Sequence, residues 1–231
     1  MNQHLSLTAN LLGDPGRAAI VLSLMDGLAL PAGELAAIAN VAPQTASGHL
    51  ARLIDGGLLI VERQGRHRYY RLSSPEVADA IEALLVLTAR PRPGGRATAT
   101  HKVTAGSLAH ARTCYSHLAG WLGVQIAEEL EHRALLRVSG PKLYTVTPSG
   151  RAWFQSIGIE IPEEDRAPRK LARRCLDWTE RRHHLAGTLG CTMYKRLLEL
   201  RWVVPIRDTR AVRVTLEGKN CLWKLLRLPI G

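Results

Sequence analysis

The sequence predicts a mainly α fold with small β-hairpins (α+β), divided into an N-terminal domain and a longer C-terminal region. Three observations carry this. Residues 1–90 alternate short segments of helical apolar spacing with Gly/Pro turns, and they include one basic hairpin. A stretch rich in Pro, Gly, Arg and Thr follows. Beyond it, two sets of sequence anchors recur at nearly the same separation, which marks an internal repeat.

Leu5 to Leu12 reads as a short helix, and Gly13-Asp14-Pro15 caps a second that runs to Gly27. Pro31 opens a third helix, with Leu35, Ile38 and Ala39 at helical spacing. Val41-Ala42 is a tight turn before a fourth helix that starts at Pro43. Two short helices joined in this way make a helix-turn-helix. In the fourth, Ala46, Leu50, Leu53 and Ile54 form the inward stripe, leaving Gln44, Thr45, Ser47, Gly48, His49 and Arg52 mostly outward. Leu58 to Glu62 and His67 to Leu72 read as a hairpin turning at Gln64-Gly65, the wing of a winged helix-turn-helix. Ser73-Ser74-Pro75 caps a fifth helix whose Val77, Ala80, Ile81, Leu84, Leu85 and Thr88 line one face and call for a partner helix.

The domain expectation is therefore 1–90 for DNA binding and dimerisation, 91–104 as linker, and 105–231 as an effector region. In that region His117-Leu118-Ala119-Gly120 returns as His184-Leu185-Ala186-Gly187, and Val146-Thr147-Pro148-Ser149-Gly150 as Val214-Thr215-Leu216-Glu217-Gly218. Two winged-helix-like repeats are expected, at about 105–160 and 168–231, with a joint around Ile161 to Pro168. Each is read as helix, turn, helix, strand pair, helix. The strands are placed at Leu135 to Val138, Leu143 to Val146, Val203 to Arg207 and Ala211 to Thr215.

Composition narrows the function. The 231 residues carry a formal charge of +11, which points to an acidic partner, nucleic acid first. Residues 1–90 hold 7 Lys/Arg against 8 Asp/Glu, and residues 91–231 hold 24 against 12. The N-terminal reading head thus depends on a local cluster, Arg63, Arg66, Arg68 and Arg71. The apolar run Ala18 to Met25 has no basic flank and is too short for a span of roughly 18 residues, so no membrane partner and a cytoplasmic location are expected. Four widely spaced cysteines fit reduced thiols rather than a disulfide framework.

Gly13-Asp14-Pro15 with Arg17, Gly33-Glu34-Leu35, Gln44-Thr45-Ala46-Ser47-Gly48-His49-Leu50, Leu53, Gly57-Leu58 and Gly65-Arg66-His67-Arg68-Tyr69-Tyr70-Arg71-Leu72 form an ordered set. On these residues the first 90 positions resemble the ArsR/SmtB family of winged-helix repressors, nearest its cadmium- and lead-sensing branch. Arg112 to Gly120 and Cys175 to Arg182 resemble segments of longer ArsR-type regulators. The resemblance implies a homodimer joined through the first and fifth helices, bound to a palindromic double-stranded operator and released by an effector. The chain also departs from the family. That branch places thiolates in and just after the recognition helix, where Arg52 and Gly56 stand here. The third helix has no Cys-x-Cys, and the fifth offers Asp79 and Glu82 without a histidine.

In the DNA-binding reading Gln44, Thr45, Ser47, Gly48 and His49 face base edges, with Arg52 on phosphate or guanine. The wing's Arg63, Arg66, His67 and Arg68 take phosphate or the minor groove. The bland alternatives are a polar solvent face and a solvated hairpin. Cys114 and His117, three apart on an expected helix, can face one point with Cys175 and His184, giving a Cys2His2 site for a divalent metal ion. Against this, lone cysteines are commonly core, and Cys114 beside Arg112 and His117 also suits a redox thiol. All five tryptophans and Phe154 lie in the second half, as core or as lining for an organic effector. Arg169-Lys170, Arg173-Arg174 and Arg181-Arg182 either extend the DNA footprint or form a solvated face.

The functional expectation is a sequence-specific DNA-binding regulator, a dimeric repressor released by a metal, redox or small-molecule effector. One alternative is a nonspecific architectural nucleic-acid-binding protein. The other fuses a DNA-binding domain to a Cys/His enzyme domain using Cys114 with His117 as base. No nucleophile elbow, phosphate loop or dinucleotide fingerprint is present to support catalysis, so a non-enzyme is expected.

Overall fold

Helix α1 (Asn2–Leu12) ends where Arg17 reaches back, its guanidinium donating to the Leu11 and Asn10 carbonyls at 2.6 and 2.8 Å. Helix α2 (Pro15–Ser23) begins with Pro15 at its first position and Asp14 as N-cap, accepting the Arg17 amide at 2.9 Å. The computed structural model describes residues 2–88, 106–162, 171–207 and 209–230. The expected linker 91–104, Arg169-Lys170 and most of the expected joint lie outside them.

The described chain divides into two compact units, Met1–Ile81 and Glu82–Gly231. In the first, α3 (Ala32–Ile38) and α4 (Pro43–Asp55) are joined through Asn40 at φ 52°. An Asn in the left-handed region ends α3. Ile20, Val21, Leu24, Met25, Leu35, Ala46, Leu50 and Leu53 are buried. Strands β2 (Leu59–Gln64) and β3 (His67–Leu72) form the wing, turning at Gly65 with φ 59°. The sequence reading missed β1 (Leu30–Pro31), which pairs with Tyr69 and Tyr70 of β3 to make a three-stranded sheet. It also overran α2, which stops at Ser23 and gives way to turns ending at Gly27 with φ 79°. Helix α5 (Pro75–Thr88) buries Ala78 and Ile81 but leaves Leu84 and Leu87 exposed, and α1 leaves Leu5 and Leu7 exposed.

The second unit contains β4 (Arg112–Cys114), β5 (His117–Ala119), α6 (Gly120–His132), β6 (Leu136–Gly140), β7 (Leu143–Val146) and α7 (Pro148–Ser156). It continues with β8 (Arg173–Leu176), β9 (His183–Ala186), α8 (Gly187–Glu199), β10 (Val203–Pro205), β11 (Val212–Val214) and α9 (Leu216–Leu226). Residues 112–156 and 173–226 share one element order, hairpin, helix, strand pair, helix, so the segments holding Cys114 and His117, and Cys175 and His184, are β-hairpins where a helix is expected. The 112–119 segment turns at Tyr115, φ 56°, and its three-residue strands are too short to display a two-residue period.

The two copies exchange backbone contacts. Tyr144 N donates to Ala172 O and Arg174 N to Lys142 O, tying the wing of the first copy to the hairpin of the second. Val212 N to Ala111 O and Thr113 N to Arg210 O are the reciprocal pair. These equivalences set residues 111–114 against 172–175 in a pseudo-twofold arrangement.

The Thr-x-x-Gly anchors explain themselves in the same way. Thr147 and Thr215 N-cap α7 and α9 by accepting the amides of Gly150 and Gly218 at 2.9 and 3.0 Å. A Cβ at either glycine would lie 2.0 Å from a carbonyl oxygen, Leu135 or Trp202. The core joins both copies through Leu122, Leu130, Phe154, Leu189, Leu197, Val203 and Leu222.

Candidate nucleic-acid interface and Cys-His cluster

Burial of Ala46, Leu50 and Leu53 fixes the roll of α4, so Gln44, Thr45, Ser47, Gly48 and Arg52 are all exposed. Ser47 Oγ donates to Pro43 O at 2.9 Å without leaving that face. Nothing lies within 4 Å of the place a Cβ would take on Gly48, so packing does not require glycine there. His49 departs from the expectation. Its side chain is only 13% exposed, with Nε2 3.6 Å from Asp14 Oδ1 and against Gly16. It ties α4 to the start of α2, where Asp14's carboxyl is held below its ordinary range, first by the Arg17 amide and also by the His49 and Arg17 charges. On the wing, Arg63, Arg66, His67 and Arg68 are exposed, while Arg71 is paired with Glu62.

In the second unit the hairpins set Cys114 directly opposite His117, and Cys175 directly opposite His184. The expectation that Cys114 and His117 share a helix is thus corrected; both spacings bring them together, but here they do so across a two-residue turn. The pseudo-twofold arrangement brings the two pairs face to face. The Sγ atoms are 4.0 Å apart, the two histidine Nε2 atoms 3.0 Å apart, and all four ligand atoms lie within 4.8 Å of one another. All four residues are buried. Gly123 in α6 and Gly190 in α8 make the room, since Cβ atoms there would meet the Leu118 and Leu185 carbonyls at 2.6 and 2.4 Å and approach the His184 and His117 side chains. The hydrogen bond shared by the thiols raises Cys114, with burial adding to the rise, and lowers Cys175, which the neighbouring His117 and His184 lower further.

Asp177, which sequence reasoning passed over, lies in the long turn of the second hairpin. Its Oδ2 accepts from Arg112 at 2.9 Å and from the Gly120 amide at 2.7 Å, and its Oδ1 accepts from Thr179 and Glu180. Burial opposes its charge, yet Arg112, His184 and these hydrogen bonds hold its carboxyl below the ordinary value. His184 Nδ1 lies 3.6 Å from Asp177 Oδ2 and has no hydrogen-bond partner among the described residues. Arg112, fully buried over the Trp178 ring, also approaches Glu82 at 3.9 Å, and Arg210 reaches Glu82 at 3.4 Å. Burial pushes the Glu82 carboxyl up despite both arginines. The one sequence signal for this network is the extra length between Cys175 and His184.

The remaining expectations divide. Arg174 lies over Tyr144 and bonds His183, and Arg182 pairs with Glu128, so both serve the unit's own surface. Of the tryptophans, Trp202 alone lines a cavity of about 590 Å³ with Ile157, Arg196, Cys221, Lys224 and Leu225. Trp121 stacks on His110, and Trp153 meets Phe154 edge-on. All four cysteines are free, and among the described residues no helix is long and apolar enough to cross a membrane.

Comparison with known proteins bears on both units. A helix-turn-helix domain family matches residues 12–62. Over 230 residues, covering all of both chains, the sequence is 43% identical to the uncharacterized HTH-type transcriptional regulator YdfF of Bacillus subtilis. The HTH-type transcriptional regulator CmtR of Mycobacterium tuberculosis is 35% identical over 74 residues, 32% of this chain and 62% of its own. Among solved structures, the homodimeric winged helix-turn-helix DNA-binding domain Mb0332 of Mycobacterium bovis, a possible ArsR-family regulator, matches at 26% identity. That match has a TM-score of 0.35 and covers 37% of this chain and 79% of that one.

Proposed function

The chain belongs to the HTH-type transcriptional regulators, and from that premise we propose that it is a homodimeric, cytoplasmic repressor of the ArsR type, released from its operator by an effector held in residues 105–231. The observation that carries the DNA-reading part is the exposed face of α4, where Gln44, Thr45, Ser47 and Arg52 surround a glycine that packing does not demand. Short polar side chains read base edges, and a missing side chain admits a close approach. Arg63, Arg66 and Arg68 add phosphate contacts from the wing. His49 is assigned to holding α4 on α2 instead of to base readout.

Exposed Leu5 and Leu7 on α1, and Leu84 and Leu87 on α5, support dimerisation through those helices. A catalytic role for Cys114 with His117 is disfavoured because both are buried, at 1% and 5% exposure.

The test is binding by fluorescence anisotropy to an operator selected from a random library, against random competitor DNA over a range of salt. Arg66→Ala should weaken both DNAs equally and reduce the salt slope by about one ion. Gln44→Ala should cost about 1–3 kcal/mol on operator and little on random DNA. Equal losses on both DNAs for Gln44→Ala would refute base readout, and a wild type without any sequence-specific increment would make the protein architectural.

A further inference from the structure

We propose that Cys114, His117, Cys175 and His184 bind one zinc-class divalent ion in a closed tetrahedral site between the two repeats, and that this ion is the effector. The second clause rests on the regulatory reading above; the first stands on geometry alone. An ion at about 2.3 Å from sulfur and about 2.0–2.1 Å from nitrogen, with tetrahedral angles, separates two sulfurs by about 3.8 Å and two imidazole nitrogens by about 3.3 Å. The cluster has 4.0 and 3.0 Å. Two thiolates with two imidazoles in this shape select a zinc-like ion over the hard, oxygen-seeking cations.

The surroundings fit the same use. Each hairpin supplies one sulfur and one nitrogen, so an ion ties β4–β5 to β8–β9. On binding, the thiol protons pass to solvent and the two thiolates balance the ion's charge. With Nε2 of His184 on the ion, its proton resides on Nδ1, and Asp177 stands 3.6 Å from that atom as the acceptor it lacks. A carboxylate behind a histidine ligand fixes its tautomer and orientation. Asp177 in turn holds Arg112, two residues before Cys114, and Arg112 faces Glu82 of α5. Loading the site thereby acts on a charge cluster that includes a residue of the helix assigned to dimerisation.

The experiment uses the full chain, reduced and stripped with chelator, then titrated with Co2+. Ligand-field absorption saturating at one ion per chain, with thiolate-to-cobalt charge transfer and displacement by Zn2+, is expected. Cys114→Ser with Cys175→Ser should abolish the charge transfer. If that variant fails to fold, Cys114→His should still take up one ion with about half the charge-transfer intensity. No saturable absorption in the wild type, or unchanged absorption in the double variant, overturns the site. So does a wild type that takes no cobalt and forms a Cys114–Cys175 disulfide instead.

Operator affinity, measured on the same samples, should be at least about fivefold weaker for metal-loaded than for metal-free wild type. Equal affinities overturn the effector assignment. Sequence-specific DNA binding without metal uptake rejects the site and leaves the regulator standing, whereas metal uptake by a chain that shows no sequence-specific binding even when metal-free rejects the regulator.

Discussion

Gly48 and Gly218 are both helical glycines, but they answer to different demands. A Cβ at Gly48 meets nothing within 4 Å, while one at Gly218 would be driven to 2.0 Å from the Trp202 carbonyl oxygen. The contrast extends to neighbouring polar groups. On α4 the polar side chains face solvent, whereas in the second unit Arg112, Asp177 and His184 are wholly buried. Where the fold leaves a residue's identity free, as at Gly48, its presence needs a reason outside the fold. Where close packing dictates it, as at Gly123, Gly150, Gly190 and Gly218, the residue reports architecture, and the sequence repeat follows from that. The first unit displays its chemistry outward to a partner, and the second turns its chemistry inward on itself.

The comparison is challenged most severely at Arg112. Arg112→Ala leaves Asp177 buried without its cation and Glu82 with Arg210 alone, and removing one partner of a buried ion pair costs about 3–5 kcal/mol. Urea unfolding followed by tryptophan fluorescence measures this well, because all five tryptophans lie beyond residue 120. A loss under about 1 kcal/mol, the range of an exposed pair, would mean that the cluster is solvated and the second unit is not closed. Next in size is Gly218→Ala, which forces backbone apart at the start of α9 and should cost about 1–3 kcal/mol by the same measurement. Gly33→Ala in α3, where a Cβ meets nothing within 4 Å, should lose no stability when the first unit, which has no tryptophan, is followed by far-ultraviolet circular dichroism.

What the sequence made legible was local periodicity and short motifs. The Ala46, Leu50, Leu53 stripe predicts which face of α4 is exposed, and the Gln64-Gly65 turn predicts the wing. Cys114 and His117 could be paired because residues three apart converge both on a helix and across a two-residue hairpin turn, and Cys175 and His184, nine apart, were reachable only as their counterparts in the second repeat; the structure brings the four ligand atoms within 4.8 Å of one another. Features set by contacts distant in sequence were not legible. Strand β1 has two residues, one of them proline, and exists only because β3 lies beside it. His49 points outward on a helical wheel, but Asp14 and Gly16 draw it back onto α2. The backbone exchange between the repeats, and Asp177 behind His184, depend on pairings more than twenty-five residues apart or on a turn without periodicity.

The smallest effect discriminates the two regions most directly. Glycine inside a helix costs about 0.5–1 kcal/mol relative to alanine, and α4 accepts a Cβ at position 48 without a clash. Gly48→Ala should therefore stabilise the first unit by about that amount, read as a higher urea midpoint in far-ultraviolet circular dichroism. The same methyl group stands on the face assigned to DNA, so operator affinity in the anisotropy assay should fall while stability rises. These opposite signs cannot come from general damage to the fold, which would lower both. A more stable variant with unchanged operator affinity would show that DNA does not approach this turn of α4, and base readout would then have to be moved toward Arg52 at the helix's other end.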